Sequence, residues 1–287
     1  MNSYTELLEK YCNESNYIIK KTDSPSNICY VFFSSNGLYK ENNDAEILQS
    51  VVESKRFEWL SISSNKKIIS NARKMIFVRD LRKIFYQKGI NNEINSIPKL
   101  ADFLNKETKG LDVYLVGSSA GGYIALLLSS LINGVKRVYS FGGCVDLLIH
   151  SSYYESKYCS DFDKRYSTCK SFISQRPTII HFYGALNSND EHHVNIIKSL
   201  NFENIIFVPF NDTNHAVRPT GGDIIEILTC SANHLAKIKK KMRDKQSISK
   251  VQFSLINIGF WKTIIHVLRE IIKIGKWEEN LNIFLEQ

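Results

Sequence analysis

The stretch LDVYLVGSSAGGYIALLLSSLIN (111–133) restricts the folds open to this chain more than any other part of it. An apolar run rich in β-branched residues leads directly into Gly117-Ser118-Ser119-Ala120-Gly121, and a second apolar run follows at once. A nearly continuous apolar run suits a strand buried on both faces, as in a parallel sheet covered by helices. A strand that turns straight into a helix leaves no room at the turn. Glycines are needed at its flanks because a side chain there would collide with neighbouring backbone, and the central residue is held strained with its own side chain exposed. In frame the turn reads G-x-S-x-G with Ser119 at the apex. The helix that follows points its N-terminal N–H groups and positive dipole end at the turn, which favours negative charge developing there. A phosphate loop would need a Lys after the glycines and a dinucleotide fold would need G-x-G-x-x-G; neither is present.

The rest of the chain extends this pattern. Short runs rich in β-branched and aromatic residues recur at 28–35, 74–80, 135–143, 177–185 and 204–210, and helical segments are predicted over 43–55, 97–109 and 121–133. Strand alternating with helix predicts an α/β fold, a mostly parallel sheet with helices on both faces. In such sheets ligands bind beyond the carboxyl ends of the strands, so chemistry is sought just after each run. One main domain is expected over 1–235, followed by a basic, helical C-terminal extension over 236–287 packed on or near it. Within the extension, Trp261, Ile264, Ile265, Leu268, Ile271 and Ile272 recur at helical spacing. That amphipathic helix either packs against the main domain or serves a membrane surface or partner.

At 43% hydrophobic and 23% charged residues, the composition excludes a disordered or fibrous chain. The formal charge of +8 suits an acidic polymer, a nucleotide-bearing substrate or an anionic membrane. No nucleic-acid partner is expected. The six cysteines are scattered, without CxxC or metal-ligand spacing, so reduced structural thiols and no metal site are expected. The N-terminus lacks a basic segment followed by an apolar one, and no apolar run has the length of a membrane span. These features predict a cytoplasmic protein, with peripheral attachment at the inner face of the membrane compatible with the basic extension.

A serine hydroxyl needs a base to take its proton, and the base needs a carboxylate to orient it. In a sheet of this kind the order along the chain is Ser, acid, His, each beyond a later strand. Asp190, after the run at 177–185, is the candidate acid, with Glu191, Asp212 and Asp146 as competitors. His215, after the run at 204–210, is the candidate base, with His192 and His193 as competitors. His193 is alternatively a substrate contact, whereas His181 and His234 read as structural. An oxyanion site would take the backbone N–H of Ala120 and a second N–H from Asn36 or Ser35, just after the run at 28–35. Arg79, Arg82 or Lys88 could bind phosphate or an anionic glycan; otherwise Arg79 and Asp80 form a structural ion pair.

With GSSAG as nucleophile elbow, NSNDEHH as acid loop and NDTNHAV as histidine loop, the chain resembles the α/β-hydrolases over roughly 28–235. More narrowly, FEWLSISS followed by KMIFVRDLRKIFYQKGI and VGSSAGGYIA is similar to a group that includes capsular-polysaccharide O-acetyltransferases. That likeness implies a Ser-Asp-His triad of Ser119, Asp190 and His215, an acetyl-Ser119 intermediate, acetyl-CoA as co-substrate with no bound cofactor, and a polysaccharide or oligosaccharide acceptor. Two other readings stay open: a carboxylester hydrolase, such as an esterase or polysaccharide deacetylase, and a non-catalytic component of a glycan-assembly or secretion complex acting through its C-terminal helices.

Overall fold

The computed structural model describes residues 3–38, 47–148 and 163–274. Seven strands form one sheet: β1 (Tyr17–Lys21), β2 (Ile28–Phe33), β3 (Lys74–Val78), β4 (Asp112–Ser118), β5 (Val135–Phe141), β6 (Thr178–Gly184) and β7 (Ile205–Phe210), in the spatial order β1-β3-β2-β4-β5-β6-β7. All neighbours run parallel except β1, which pairs antiparallel with β3 at the edge. The six apolar runs are the six parallel strands. Strand β1 is not among them, since YIIKK has three apolar positions and ends in two lysines. It needs only an edge to add to, with one side open to solvent.

The apolar runs are continuous because both faces of the sheet are covered. On β2, Cys29, Val31 and Phe33 enter one core while Tyr30 and Phe32 enter the other. The first core takes α3 (Ile97–Glu107) and α4 (Ala120–Leu128), and every residue of α4 is buried. The second takes α2 (Lys66–Asn71), α6 (Gly221–Thr229), α7 (Ala232–Met242) and α8 (Lys250–Asn257). Its aromatic rings stack in series, Phe141 on Phe182 at 4.6 Å and Phe182 on Phe210 at 6.2 Å between centroids. The remaining helices are α1 (Ser3–Asn13), α5 (Ser188–Lys198) and α9 (Phe260–Ile274).

Helix α4 stops at Leu128 instead of running to 133, and the chain tightens into turns there, with the Ser129 Oγ donating to Phe172 O. Of the helix expected at 43–55, residues 43–46 lie outside the described residues, and Leu48–Glu53 forms a π-helical turn. Position 235/236, where the sequence changes character, falls inside α7, whose Leu235, Ile238 and Met242 belong to the second core. In α9 Trp261, Ile265 and Leu268 of the apolar stripe are exposed and Ile264 is half-buried, while Thr263 is buried; the side chains of Ile271 and Ile272 lie outside the described residues. Five described cysteines are free thiols, and Cys159 lies outside the described residues. No described helix is long and apolar enough to cross a membrane.

Strand order decides where a ligand can sit. After β2 the chain goes to one side of it to make β3, then crosses to the other side to make β4. The crevice at that reversal lies beyond Phe33 and Gly117, which pair in register at the ends of β2 and β4.

Candidate active site

Ser119 joins β4 to α4 with φ 51° and ψ −116°, a left-handed backbone that costs an L-residue about 1–3 kcal/mol. The surroundings impose it. The Ser119 N–H donates to Phe141 O at 2.8 Å, and Tyr123 N–H donates back to Ser119 O at 2.9 Å. Ser119 stands at the N-cap position of α4, where a serine usually accepts a backbone N–H, yet its hydroxyl makes no capping bond. The hydroxyl lies instead 2.9 Å from His215 Nε2.

His215 follows β7, and the close approach of two loops brings it to Ser119. A Cβ on Gly142, at the end of β5 with φ +58°, would lie 2.4 Å from Ala216 Cα, so only a glycine lets the histidine loop come in. His215 Nδ1 lies 2.5 Å from Asp190 Oδ1. With Nδ1–H donated to that carboxylate, Nε2 is left as the acceptor for the serine proton. The Asp190 side chain is 1% exposed, whereas that of His215 is 40% exposed. Asp190 lies in the first turn of α5 rather than in a loop, where Asn187 caps the helix by accepting Asp190 N–H. Its second oxygen accepts the N–H groups of Gly184 at 3.1 Å and Ala216 at 3.3 Å. Burial pushes the Asp190 carboxyl up, but the hydrogen bond and charge of His215, with the Gly184 N–H, outweigh it and hold the carboxyl below its ordinary range.

The loop after β2 meets the elbow closely. A Cβ on Gly121 would stand 2.4 Å from Phe33 O, so Gly121 lets Phe33 and Ser34 lie against the start of α4. Ala120 opens that helix. Of the two residues read as the second N–H donor, Ser35 gives its N–H to a carboxylate oxygen of Glu58, and Asn36 begins a 3-10 turn with its side-chain amide on Lys83 O at 3.3 Å. The Ser35 N–H is thus already engaged with a side chain.

The sequence reading missed the brace that holds these loops. The other oxygen of Glu58 pairs with Arg218, three residues beyond His215, and the Arg218 guanidinium lies 4.5 Å from the centre of the Trp59 ring. Trp59 Nε1 donates to Phe33 O at 3.1 Å, and Glu58 N–H donates to Ser34 Oγ at 3.3 Å. Glu58 and Trp59 therefore tie the loop after β2 to the loop that carries His215. The signal open to sequence reading was FEWL, where a charged residue sits between two aromatic ones.

The other candidates lie elsewhere. Arg79 is 2% exposed, with its guanidinium bonded to Asn16 Oδ1, Val51 O, Arg56 O and Glu14, and stacked over Phe57 at 4.6 Å. It clamps the segment after α1 and the segment around the π-helical turn onto the end of β3 instead of facing a ligand, and it pairs with the Glu14 carboxylate. Asp80 meanwhile accepts the N–H groups of Arg82, Ile84 and Tyr86, which organise the loop after β3. Lys88 is half-buried on that loop, and its carbonyl accepts the Tyr11 hydroxyl. His193 is buried on α5, where Nδ1 accepts the Val145 N–H at 3.3 Å, so it braces the loop after β5 rather than meeting a substrate. Among the competing acids, Asp212 holds Asn214 and Lys250, and Asp146 holds Leu148 N–H. His181 is buried against Ser140 Oγ at 3.1 Å. His234 meets Asn257 Oδ1 at 3.3 Å. The described residues contain no group of three or more His, Cys, Asp or Glu placed to hold a metal ion.

Neither a protein-family model nor a curated protein sequence matches this chain. Among solved structures, the esterase domain of a Rhodothermus marinus protein is similar at 13% identity and TM-score 0.48, covering 74% of this chain and 88% of that one. A capsule O-acetyltransferase of Neisseria meningitidis serogroup A is similar at 14% identity and TM-score 0.48, covering 82% and 98%. Zea mays acyl-protein thioesterase 2 is similar at 13% identity and TM-score 0.43, covering 75% and 98%. The fold follows from the chain's own geometry: a parallel sheet with one antiparallel edge strand, a strained serine between β4 and α4, and an acid and a histidine beyond later strands in that order. These features together are the α/β-hydrolase fold.

Proposed function

We propose that this protein performs acyl transfer through Ser119. The observation that carries the reading is the hydrogen-bonded series Ser119 Oγ, His215 Nε2, His215 Nδ1, Asp190 Oδ1, at 2.9 Å and 2.5 Å. In this reading the serine oxygen attacks an acyl carbonyl as its proton passes to Nε2, and Asp190 steadies the imidazolium that forms. The carbonyl oxygen takes up the charge and is met by the N–H of Ala120 and that of Asn36. The imidazolium then protonates the leaving group, and the acyl group stays on Ser119. In the second half the same imidazole deprotonates the hydroxyl that accepts it.

The reaction we favour is O-acetylation of a bacterial capsular or surface polysaccharide, with acetyl-CoA as donor and no bound cofactor. The likeness of FEWLSISS, KMIFVRDLRKIFYQKGI and VGSSAGGYIA to that group of transferases supports it, as does a charge of +8 suited to CoA phosphates or an acidic glycan. A second reading, ester hydrolysis, is favoured by the exposure of His215, since water reaching the imidazole resolves the same acyl-enzyme. Free CoA released from acetyl-CoA, measured with and without capsular oligosaccharides, separates the two. Acceptor-stimulated release with acetyl appearing on the glycan is the expected result; release at one rate whatever glycan is added would overturn the transferase reading in favour of hydrolysis.

A further inference from the structure

The last two helices expose what the rest of the surface hides. Of the ten large apolar side chains exposed among the described residues, seven lie on α8 and α9. Val251 and Leu255 are one turn apart on α8. Phe260 and Trp261 open α9 with their rings in edge contact, and Trp261 is 76% exposed. At 100° per residue, Trp261, Ile265 and Leu268 fall within about 60° of one another, one apolar arc along the helix. Opposite the arc Thr263 is buried, and at its flank Lys262 reaches Glu226 of α6 at 3.5 Å. An amphipathic helix that met only water would be stabler turned the other way, with its apolar arc against the protein.

Charge identifies what covers this arc. From 237 to 262 the chain has eight Lys or Arg and a single acid, Asp244, and so carries nearly all of its formal excess of +8. Lys237, Lys240, Lys241, Arg243 and Lys245 are exposed. Helix α7, which carries Lys237, Lys240 and Lys241, touches α8, and α8 touches α9. Cations on the same group of helices as an outward apolar arc with aromatic rings at one end match a surface that is anionic at the headgroups and apolar beneath them. No described helix is long and apolar enough to cross a membrane, so the arc is placed along the surface of a leaflet.

We propose that the α8–α9 face docks this protein on an anionic phospholipid surface, with Trp261, Ile265 and Leu268 in the acyl boundary and Lys237, Lys240, Lys241, Arg243 and Lys245 among the headgroups. Docking is independent of the chemistry at Ser119, and the two are tested separately. Full-length protein is mixed with vesicles of phosphatidylglycerol and phosphatidylcholine in equal parts, or of phosphatidylcholine alone, and floated on a density gradient. Flotation with the anionic vesicles only, weakening as salt rises, is expected, together with a blue shift of tryptophan emission. Trp261→Glu with Leu268→Glu, and separately Lys240→Glu with Lys241→Glu, should each weaken binding at least tenfold and leave turnover of p-nitrophenyl acetate unchanged. Unchanged turnover shows that these surface variants are folded. The proposal is overturned if the wild-type protein stays unbound, or if the Trp261→Glu, Leu268→Glu variant binds as tightly as wild type. It is equally overturned if the only effect of that variant is to split a dimer seen by sedimentation velocity, since the arc would then be a protein interface.

Discussion

Replacing Asp190 by Asn tests the candidate site with almost no change of shape. Oδ2 of Asp190 accepts two backbone N–H groups, from Gly184 and Ala216, while Oδ1 faces His215 Nδ1. An asparagine must put its carbonyl oxygen where the two N–H groups converge, because its amino group there would confront two donors with a third. The amino group is then turned to His215, which has to present Nδ1 as an acceptor and carry its proton on Nε2. In that tautomer Nε2 cannot take the proton of Ser119. Loss of the tautomer costs about 10⁴-fold in kcat where it has been isolated in other serine enzymes, equivalent to about 5 kcal/mol of barrier. Because the two backbone hydrogen bonds at residue 190 are kept and the third survives with donor and acceptor exchanged, the melting temperature should change by only a few degrees. The assay is the burst and steady-state release of p-nitrophenol from p-nitrophenyl acetate, with thermal unfolding as the control. A folded variant that keeps kcat within tenfold of wild type would refute the tautomer argument, and Asp190 would have no part in orienting the base.

Ser119→Ala should abolish turnover and labelling by a serine-directed phosphonate. Ser119→Gly should be equally inactive but more stable than the alanine variant by about 1 kcal/mol in urea unfolding, since glycine takes φ 51° without the Cβ penalty. Equal stabilities would mean that the elbow stores no strain. At the brace, Glu58→Gln keeps an acceptor for Ser35 N–H and loses the ion pair with Arg218, while Glu58→Ala loses both. We expect kcat to fall about tenfold and about a hundredfold respectively with KM little changed, by the sensitivity of oriented groups to small displacements. If both variants keep full kcat, the two loops hold their places without Glu58. Burial lowers the His181 imidazole from its ordinary 6.5 to about 4. The unfolded chain therefore takes up a proton that the folded protein refuses, and stability is lost as pH falls through that window, by about 2 kcal/mol between pH 7 and 5. His181→Gln should remove that increment from the pH dependence of urea unfolding, and identical pH dependence in both proteins would count against it.

Six strands, the serine turn and the order of Ser119, Asp190 and His215 were legible in the sequence, because each depends on neighbours in the chain. A run such as ICYVFF has to be covered on both faces, and GSSAG between two apolar runs has to be a sharp turn, whatever surrounds them. Other features had no local signal. Arg79 at the end of a strand reads as a cation at the ligand edge, yet Glu14 and Asn16, more than sixty positions away, take it into the interior. His193 stands three residues from Asp190 and one turn of helix turns it inward to Val145. Glu58 matters because Ser35 and Arg218, 23 and 160 positions away, meet its two oxygens. The sequence of α9 shows that one side of the helix is apolar, but only its attachment through Lys262 and Thr263 decides that this side faces outward. By itself the sequence determined the six parallel strands, their order along the chain and the residue types carried at their ends. Which of those polar groups meet depended on the crossing between β2 and β4, which brings loops distant in the chain to one edge of the sheet, and the tertiary structure alone decided that.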